Sequence, residues 1–241
     1  MELTHIDLFS GIGGFALAAR WAGLKTVQFV EIDPFCQKVL QKNFPGVPIH
    51  EDIKTFQWTG DSPFILTGGF PCQDLSHAGK GKGFEGSRSS LYREIIRTIC
   101  DTRPKFVIME NVSALLTGNN GQWFGRLLSD LANVGYDAEW HCIPASAIGC
   151  EHHRNRVWIV AYPNEVGRKI CDITITRRPL SWDWMDSMER IGWTAKPGFL
   201  RMDDGIPKAL DASRIAALGN SIVPQVAYEI MKAIKQIEGN V

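Results

Sequence analysis

The chain has 241 residues, 44% of them hydrophobic, and its 26 basic and 26 acidic side chains leave no formal net charge. That length and apolar content suit one well-packed α/β domain with room for a small appendage and exclude a disordered chain, while the neutral balance argues against nonspecific coating of nucleic acid. No apolar run reaches the roughly 18 residues that span a bilayer, and the start "MELTHIDLFSGIGG" lacks the order of a secretion signal, so a cytoplasmic protein without membrane contact is expected.

In chain order, "THIDLFS" reads as a strand, "GGFALAARWAG" as a helix, "KTVQFVEID" as a strand and "PFCQKVLQKNFPG" as a helix. "FILTGGFP" is again a strand; beyond a loop, "SSLYREIIRTICDTRP" reads as a helix and "KFVIMENV" as a strand. This alternation implies a parallel sheet with helices on both faces. The helix "WFGRLLSDLANVGY" then leads to "AEWHCIPAS" and "RVWIVAYP", an antiparallel edge pair. From Asn164 to about Arg214 clean periodicity is lost, and Trp182, Trp184 and Trp193 stand among turn residues, which reads as a small irregular insert. An amphipathic helix from about Pro224, with proline near its start, closes the chain. The expected organisation is a main domain over 1–162, the short insert over 163–214, and a segment over 215–241 that returns to the main domain.

Parallel sheets bind ligands at the carboxyl ends of their strands, and the unusual residues of this chain fall there. In "DLFSGIGGFALA", Gly11, Gly13 and Gly14 let backbone N–H groups approach a ligand at a helix N-terminus. Glu31 follows about 20 residues on, where an acid binds ribose hydroxyls, so a nucleoside cofactor is favoured. The spacing alone does not separate a nicotinamide dinucleotide from S-adenosylmethionine. Six cysteines, with no C-x-x-C pair, suggest neither a zinc ribbon nor a disulfide framework. One of them, Cys72 in "TGGFPCQDLSHAGKGKG", lies behind a proline at the end of an apolar run and before polar and basic residues, as a reactive thiol would. Glu110 in "IMENV" ends another strand on the same rim, and Arg154 and Arg156 precede a third. A thiol, an acid and two guanidinium groups beside an adenosine site suit nucleophilic addition to an electron-poor ring followed by group transfer.

Taken in order, "DLFSGIGGF", "EIDP", "EDI", "GGFPCQDLS", "MENV", "RNRVWIVA" and "LGNSIVPQVA" resemble the ordered motifs of the DNA (cytosine-5)-methyltransferases of bacteria and phages. The likeness covers Ile6 to about Tyr162 and again about Leu218 to Ala227. It implies a Rossmann-like S-adenosylmethionine-dependent fold whose insert recognises the target. It further implies a monomer that methylates C5 of cytosine in double-stranded DNA, with a cognate restriction endonuclease as a partner in the same system. Carried over residue by residue, Cys72 would add to C6 of the ring, Glu110 would hold the N3 edge and supply a proton, and Arg154 and Arg156 would support the flipped base and the catalytic loop. Phe9, Gly11, Gly13 and Gly14 would line the cofactor, Glu31 would take the ribose hydroxyls with Ile32 beside it, and Asp52 with Ile53 would meet the adenine. Pro71 would fix the backbone carrying Cys72, and Asn220 lies in the closing motif, which packs beside the first. A duplex buries its target atoms, so the base must be extruded and covered, and the basic residues Lys80, Lys82, Arg88, Arg93 and Arg97 fit a loop closing on phosphates.

The chain departs from the family pattern in two places. His152 stands where the family has the glutamine of its Gln-x-Arg-x-Arg motif; a metal site at His152 and His153 is not favoured, because adjacent residues of a strand point apart and no further ligand cluster is evident. The insert of about fifty residues is short for reading a DNA sequence. Three rival readings are a homologue that binds DNA with weakened turnover, a nicotinamide-dependent oxidoreductase, and an RNA methylase.

Overall fold

A computed structural model describes residues 2–71, 91–150, 154–164 and 216–239. Cys72, His152, His153, Lys80, Lys82, Arg88 and nearly all of the insert lie outside the described residues.

The elements follow the expected order. They are β1 (Thr4–Leu8), α1 (Gly14–Trp21), β2 (Lys25–Val30), α2 (Pro34–Asn43), β3 (Ile49–His50), β4 (Ile65–Gly68), α3 (Tyr92–Thr102) and β5 (Phe106–Val112), then α4 (Ala114–Thr117), α5 (Gln122–Asn133), β6 (Tyr136–Pro144), β7 (Asn155–Pro163) and α6 (Pro224–Gly239). The strands form one sheet in the order β3-β2-β1-β4-β5-β7-β6, parallel from β3 to β5, with β7 antiparallel to β5 and β6 antiparallel to β7. The pair β6–β7 is antiparallel as expected, but only β6 is an edge, because β7 inserts between β5 and β6. The chain runs outward from β1 through β2 to β3 and then crosses back to β4, so the topological switch point lies between β1 and β4. Open α/β sheets bind ligands there, outside the carboxyl ends of the strands. The mostly parallel sheet flanked by helices is a Rossmann-like methyltransferase fold.

Alternation along the central strands builds two apolar layers. Ile6, Leu8, Leu66, Val107, Met109, Val157 and Ile159 pack toward α3 and α5, while Ile65, Phe106, Ile108, Trp158 and Val160 pack toward α1 and α6. Both faces are covered, which is why these strands read as near-continuous apolar runs. Between the layers runs a buried polar chain. His5 contacts the hydroxyls of Thr26 and Thr67, each at 2.9 Å, and the Thr67 hydroxyl donates to Asp7 Oδ1 at 2.7 Å. Because Thr67 spends its one proton on Asp7, His5 Nε2 is the donor and Nδ1 accepts from Thr26. Burial keeps this imidazole neutral, its pKa pushed down to about 3, and holds the Asp7 carboxyl well above its usual range.

Helix starts set the rim. Asp33 Oδ1 accepts from the N–H groups of Phe35 and Cys36, and Pro34 fills the first turn of α2. Gly13 begins α1 with φ 89°, in the left-handed region. A Cβ there would stand 2.6 Å from Phe44 Cε2 and 3.0 Å from Leu40 Cδ2. Gly13→Ala is therefore expected to lower stability by about 1–3 kcal/mol, read as a fall in the urea midpoint at unchanged slope.

Candidate active site

The turn after β1 is bent by two left-handed residues, Phe9 at φ 52° and Gly11 at φ 52°. A phenylalanine in that conformation costs about 1–3 kcal/mol, and here its ring packs against the cluster under α3 and α5. Glu31, just beyond β2, clamps the loop. Its Oε2 accepts from Gly11 N–H at 2.6 Å and its Oε1 from Asp33 N–H at 2.8 Å. Burial raises the Glu31 pKa, and the bonds from Asp33 and Gly11 oppose that rise. Ile32 next to it is 70% exposed, an unusual setting for a large apolar side chain and a ready face for a flat ring. Asp52 Oδ1 accepts from Lys54 N–H and forms a tight turn, with Ile53 buried beneath it.

On the other side of the switch point, β4 runs out through Gly69, Phe70 and Pro71 toward Cys72. Asn111 steadies that exit: its amide donates to Phe70 O at 3.1 Å while its own oxygen accepts from Val112 N–H at 2.9 Å. Glu110 lies opposite Trp158 in the β5–β7 register, and Arg156, two residues before Trp158, falls on the same face. Arg156 Nε reaches Glu110 Oε1 at 3.0 Å. Gly69 leaves room for the acid, since a Cβ there would lie 3.6 Å from Glu110 Oε2. Glu110 is 8% exposed, and burial pushes its pKa up to about 6 even though Arg156 and Arg154 pull it down. Such a carboxyl can hold or release a proton near neutral pH.

The closing segment completes the rim. A helical turn over 216–220 leads into Ser221 and Ile222, and Ile222 presses so closely on Gly14 that a Cβ there would meet Ile222 Cγ1 at 2.7 Å. A cavity of about 630 Å3 is lined by Ile12–Gly14, by Ser221–Gln225, by Arg20 of α1 and by Phe44 after α2. At its far end α6 is tied to α1 by Lys235 Nζ, which donates to Ala22 O at 2.6 Å.

Residues 3–183 match the C-5 cytosine-specific DNA methylases. The chain belongs to that family. It is 39% identical over 160 residues to Type II methyltransferase M2.BsuMI of Bacillus subtilis, which covers 65% of this chain and 41% of that protein. With Type II methyltransferase M.HhaI of Haemophilus parahaemolyticus it shares 34% identity over 164 residues, 68% of this chain and 50% of the relative. Among solved structures, a DNA modification methyltransferase encoded within an E. coli prophage superposes with a TM-score of 0.60 at 25% identity, covering 70% of this chain and 49% of the other. The chain thus spans about half the length of the curated relatives it matches.

In this member of the family, the residues that the resemblance points to for the cofactor lie along one rim. Phe9, Gly11, Gly13, Gly14, Glu31 and Ile32 form one side of the switch point, and Pro71 the other. Asp52 and Ile53 follow β3, and Asn220 stands exposed on the closing turn. Of the arginine pair, Arg156 meets Glu110, whereas Arg154 turns to the closing segment. Cys72 lies outside the described residues, one position beyond Pro71.

A further expectation is corrected. Arg93 and Arg97 do not belong to a loop closing on phosphates: both lie on α3, and Arg97 donates to Ile53 O at 2.7 Å and to Phe56 O at 2.9 Å and pairs with Glu94 and Asp101. Its guanidinium thereby braces the turn that carries Asp52 and Ile53. Spacing along α3 could have indicated this, because Glu94, Arg97 and Asp101 are three and four residues apart. Asn111 stands beside Glu110 at the same strand end, and its role as the brace of the β4 exit is one that spacing does not give. Among the described residues no cluster of three or more His, Cys, Asp or Glu side chains is placed to hold a metal, and no helix is long and apolar enough to cross a membrane.

Proposed function

We propose that the chain methylates C5 of cytosine in double-stranded DNA, using S-adenosylmethionine and a covalent adduct to Cys72. The observation that carries this reading is the buried Glu110–Arg156 pair beside Gly69, two strands from the Glu31–Gly11 clamp and at the exit toward Cys72. The cofactor supplies an electrophilic methyl group. The site residues suit it: Glu31 offers carboxylate oxygens to hydroxyls, Ile32 an open apolar face to the adenine, and Asp52 with Ile53 a braced turn. Gly11 N–H is already satisfied by Glu31, so the loop presents a carboxylate where a dinucleotide's diphosphate would need bare amides. That favours a cationic sulfonium cofactor over NAD.

The Cys72 thiolate adds to C6 while Glu110 delivers a proton to N3, so that the ring's electron density moves to C5 and its charge is neutralised as it forms. Arg156 holds the Glu110 carboxyl in place at the ring's polar edge. After methyl transfer a base removes the C5 proton and the thiolate leaves C6, restoring the aromatic ring. The target base has to leave the duplex to reach a site this deep in the rim.

The main domain over 1–162 carries the chemistry, the insert over 163–214 contacts the target, and the segment over 215–241 returns to the cofactor rim. The proposal includes a monomer working in the cytoplasm with a cognate restriction endonuclease, and the relatives' name, Type II methyltransferase, supports only a place in such a modification system. Methyl transfer from labelled S-adenosylmethionine to duplex DNA, in competition with tRNA, tests the substrate. Label in the DNA is expected; label confined to tRNA would replace DNA with RNA as the substrate.

A further inference from the structure

Arg154 stands just before β7 but does not pair with Glu110's carboxyl as Arg156 does. Its Nη2 donates to Gly219 O at 2.9 Å and to Ser221 O at 2.6 Å. These carbonyls flank Asn220, so one guanidinium nitrogen brackets that residue and fixes the direction of its backbone. Ser221 N–H turns back to Ala217 O at 3.0 Å, leaving the carbonyls at the end of the turn to the arginine. A cation on the last carbonyls of a helical turn is favourable both as a hydrogen-bond donor and toward the local dipole. The next residue, Ile222, is the one packed on Gly14, and its Cγ2 would lie 3.9 Å from a Cβ on Gly69. The segment held by Arg154 thus touches both strand exits of the switch point. Arg154 also lines the cavity between the glycine loop and the closing segment.

We propose that Arg154 is a positioning residue of the cofactor site, a latch that holds Gly219–Ser221 against the glycine loop, and that the two arginines divide their labour, Arg156 serving the base and Arg154 the cofactor. This rests on the reading of the rim as an S-adenosylmethionine site. An arginine reaches both carbonyls with its planar guanidinium, whereas a lysine keeps the charge but is a more strongly hydrated point charge on a flexible stem and holds them more loosely. Cofactor affinity should therefore depend on position 154, and the rate of a saturated enzyme on position 156.

The test is a calorimetric titration of the full chain with S-adenosylmethionine in the absence of DNA, together with steady-state methylation at saturating cofactor. Arg154→Ala is expected to raise the cofactor Kd and KM about tenfold, a change of about 1.4 kcal/mol, with kcat kept within about threefold. Arg156→Ala is expected to show the opposite split, with an unchanged cofactor Kd and a lowered kcat. Arg154→Lys, which keeps the charge and at least one donor and folds even where alanine does not, should bind with a Kd raised about threefold. An Arg154→Ala protein with wild-type cofactor affinity and a depressed kcat would overturn the latch, as would wild-type Kd in Arg154→Lys when alanine fails to fold. Because binding is read without DNA, absence of methylation would count against the proposed substrate and leave the latch standing. A wild-type chain that bound no S-adenosylmethionine would instead remove the cofactor reading itself.

Discussion

Cys72→Ser is expected to abolish methyl transfer to duplex DNA, lowering kcat by on the order of 10^4 or more, while S-adenosylmethionine binds as before. A serine hydroxyl is scarcely ionised near neutral pH and adds poorly to C6, whereas a thiol gives an appreciable thiolate and is intrinsically more nucleophilic. Cofactor affinity is spared because the thiol addresses the base, and of the residues proposed for the cofactor only Pro71 lies on the β4 side of the switch point. Duplex DNA containing 5-fluorocytosine gives an independent reading. Its C5 fluorine cannot leave as a proton does, so the wild type should accumulate a covalent adduct that maps by peptide mass spectrometry to Cys72. An adduct on another residue would move the nucleophile elsewhere.

Glu110→Gln should lower kcat by about 10^2–10^4 with little change in cofactor Kd, since the amide keeps the shape of the carboxyl and loses the transferable proton. The side chain is held almost out of water, and desolvation outweighs the pull of Arg156 and Arg154, leaving its pKa at about 6 against an ordinary value of 4.5. In the free enzyme the acid form is dominant below about pH 6 and is lost as pH rises, so kcat/KM for wild type should carry a limb near that value that vanishes in the glutamine variant. The same shift links to folding. Raised in the native state, this carboxyl contributes stability that is fully present below pH 4.5 and is lost as pH rises through about 6. Urea unfolding across that window should show a slope in wild type that is smaller in Glu110→Gln; equal slopes would mean that the carboxyl is not held as this buried geometry requires.

Much of the fold was legible because strands and helices here obey their own periods. β4 and β5 are short apolar runs buried on both faces, and the Asp33-Pro34 start of α2 is a capping signal readable at sight. The two-residue β3 was not legible: a strand of that length has no period, and it exists because β2 offers it an edge. The place of β7 inside the sheet was equally hidden, since antiparallel pairing fixes who neighbours whom only on one side. In the site, residue types and order pointed to Glu110 and Glu31 as acids at strand ends, and the structure has each at such an end with its carboxylate bound to backbone N–H groups or to Arg156. What sequence could not give was the division between Arg154 and Arg156. Two residues apart, they flank the first residue of β7, and only the packing of the closing segment turns one toward carbonyls and leaves the other with the acid. Arg97 was misjudged for a related reason, because basic composition is the same for a phosphate-facing cation and for one spent on backbone oxygens.

Bisulfite sequencing of mixed-sequence duplex DNA, treated with the chain and S-adenosylmethionine, tests the central claim most directly. Cytosines within a defined sequence context should be protected from conversion by the wild type and unprotected with Cys72→Ser. Complete conversion in both, with calorimetry showing that the wild type binds S-adenosylmethionine, would contradict C5 methylation of DNA by this chain.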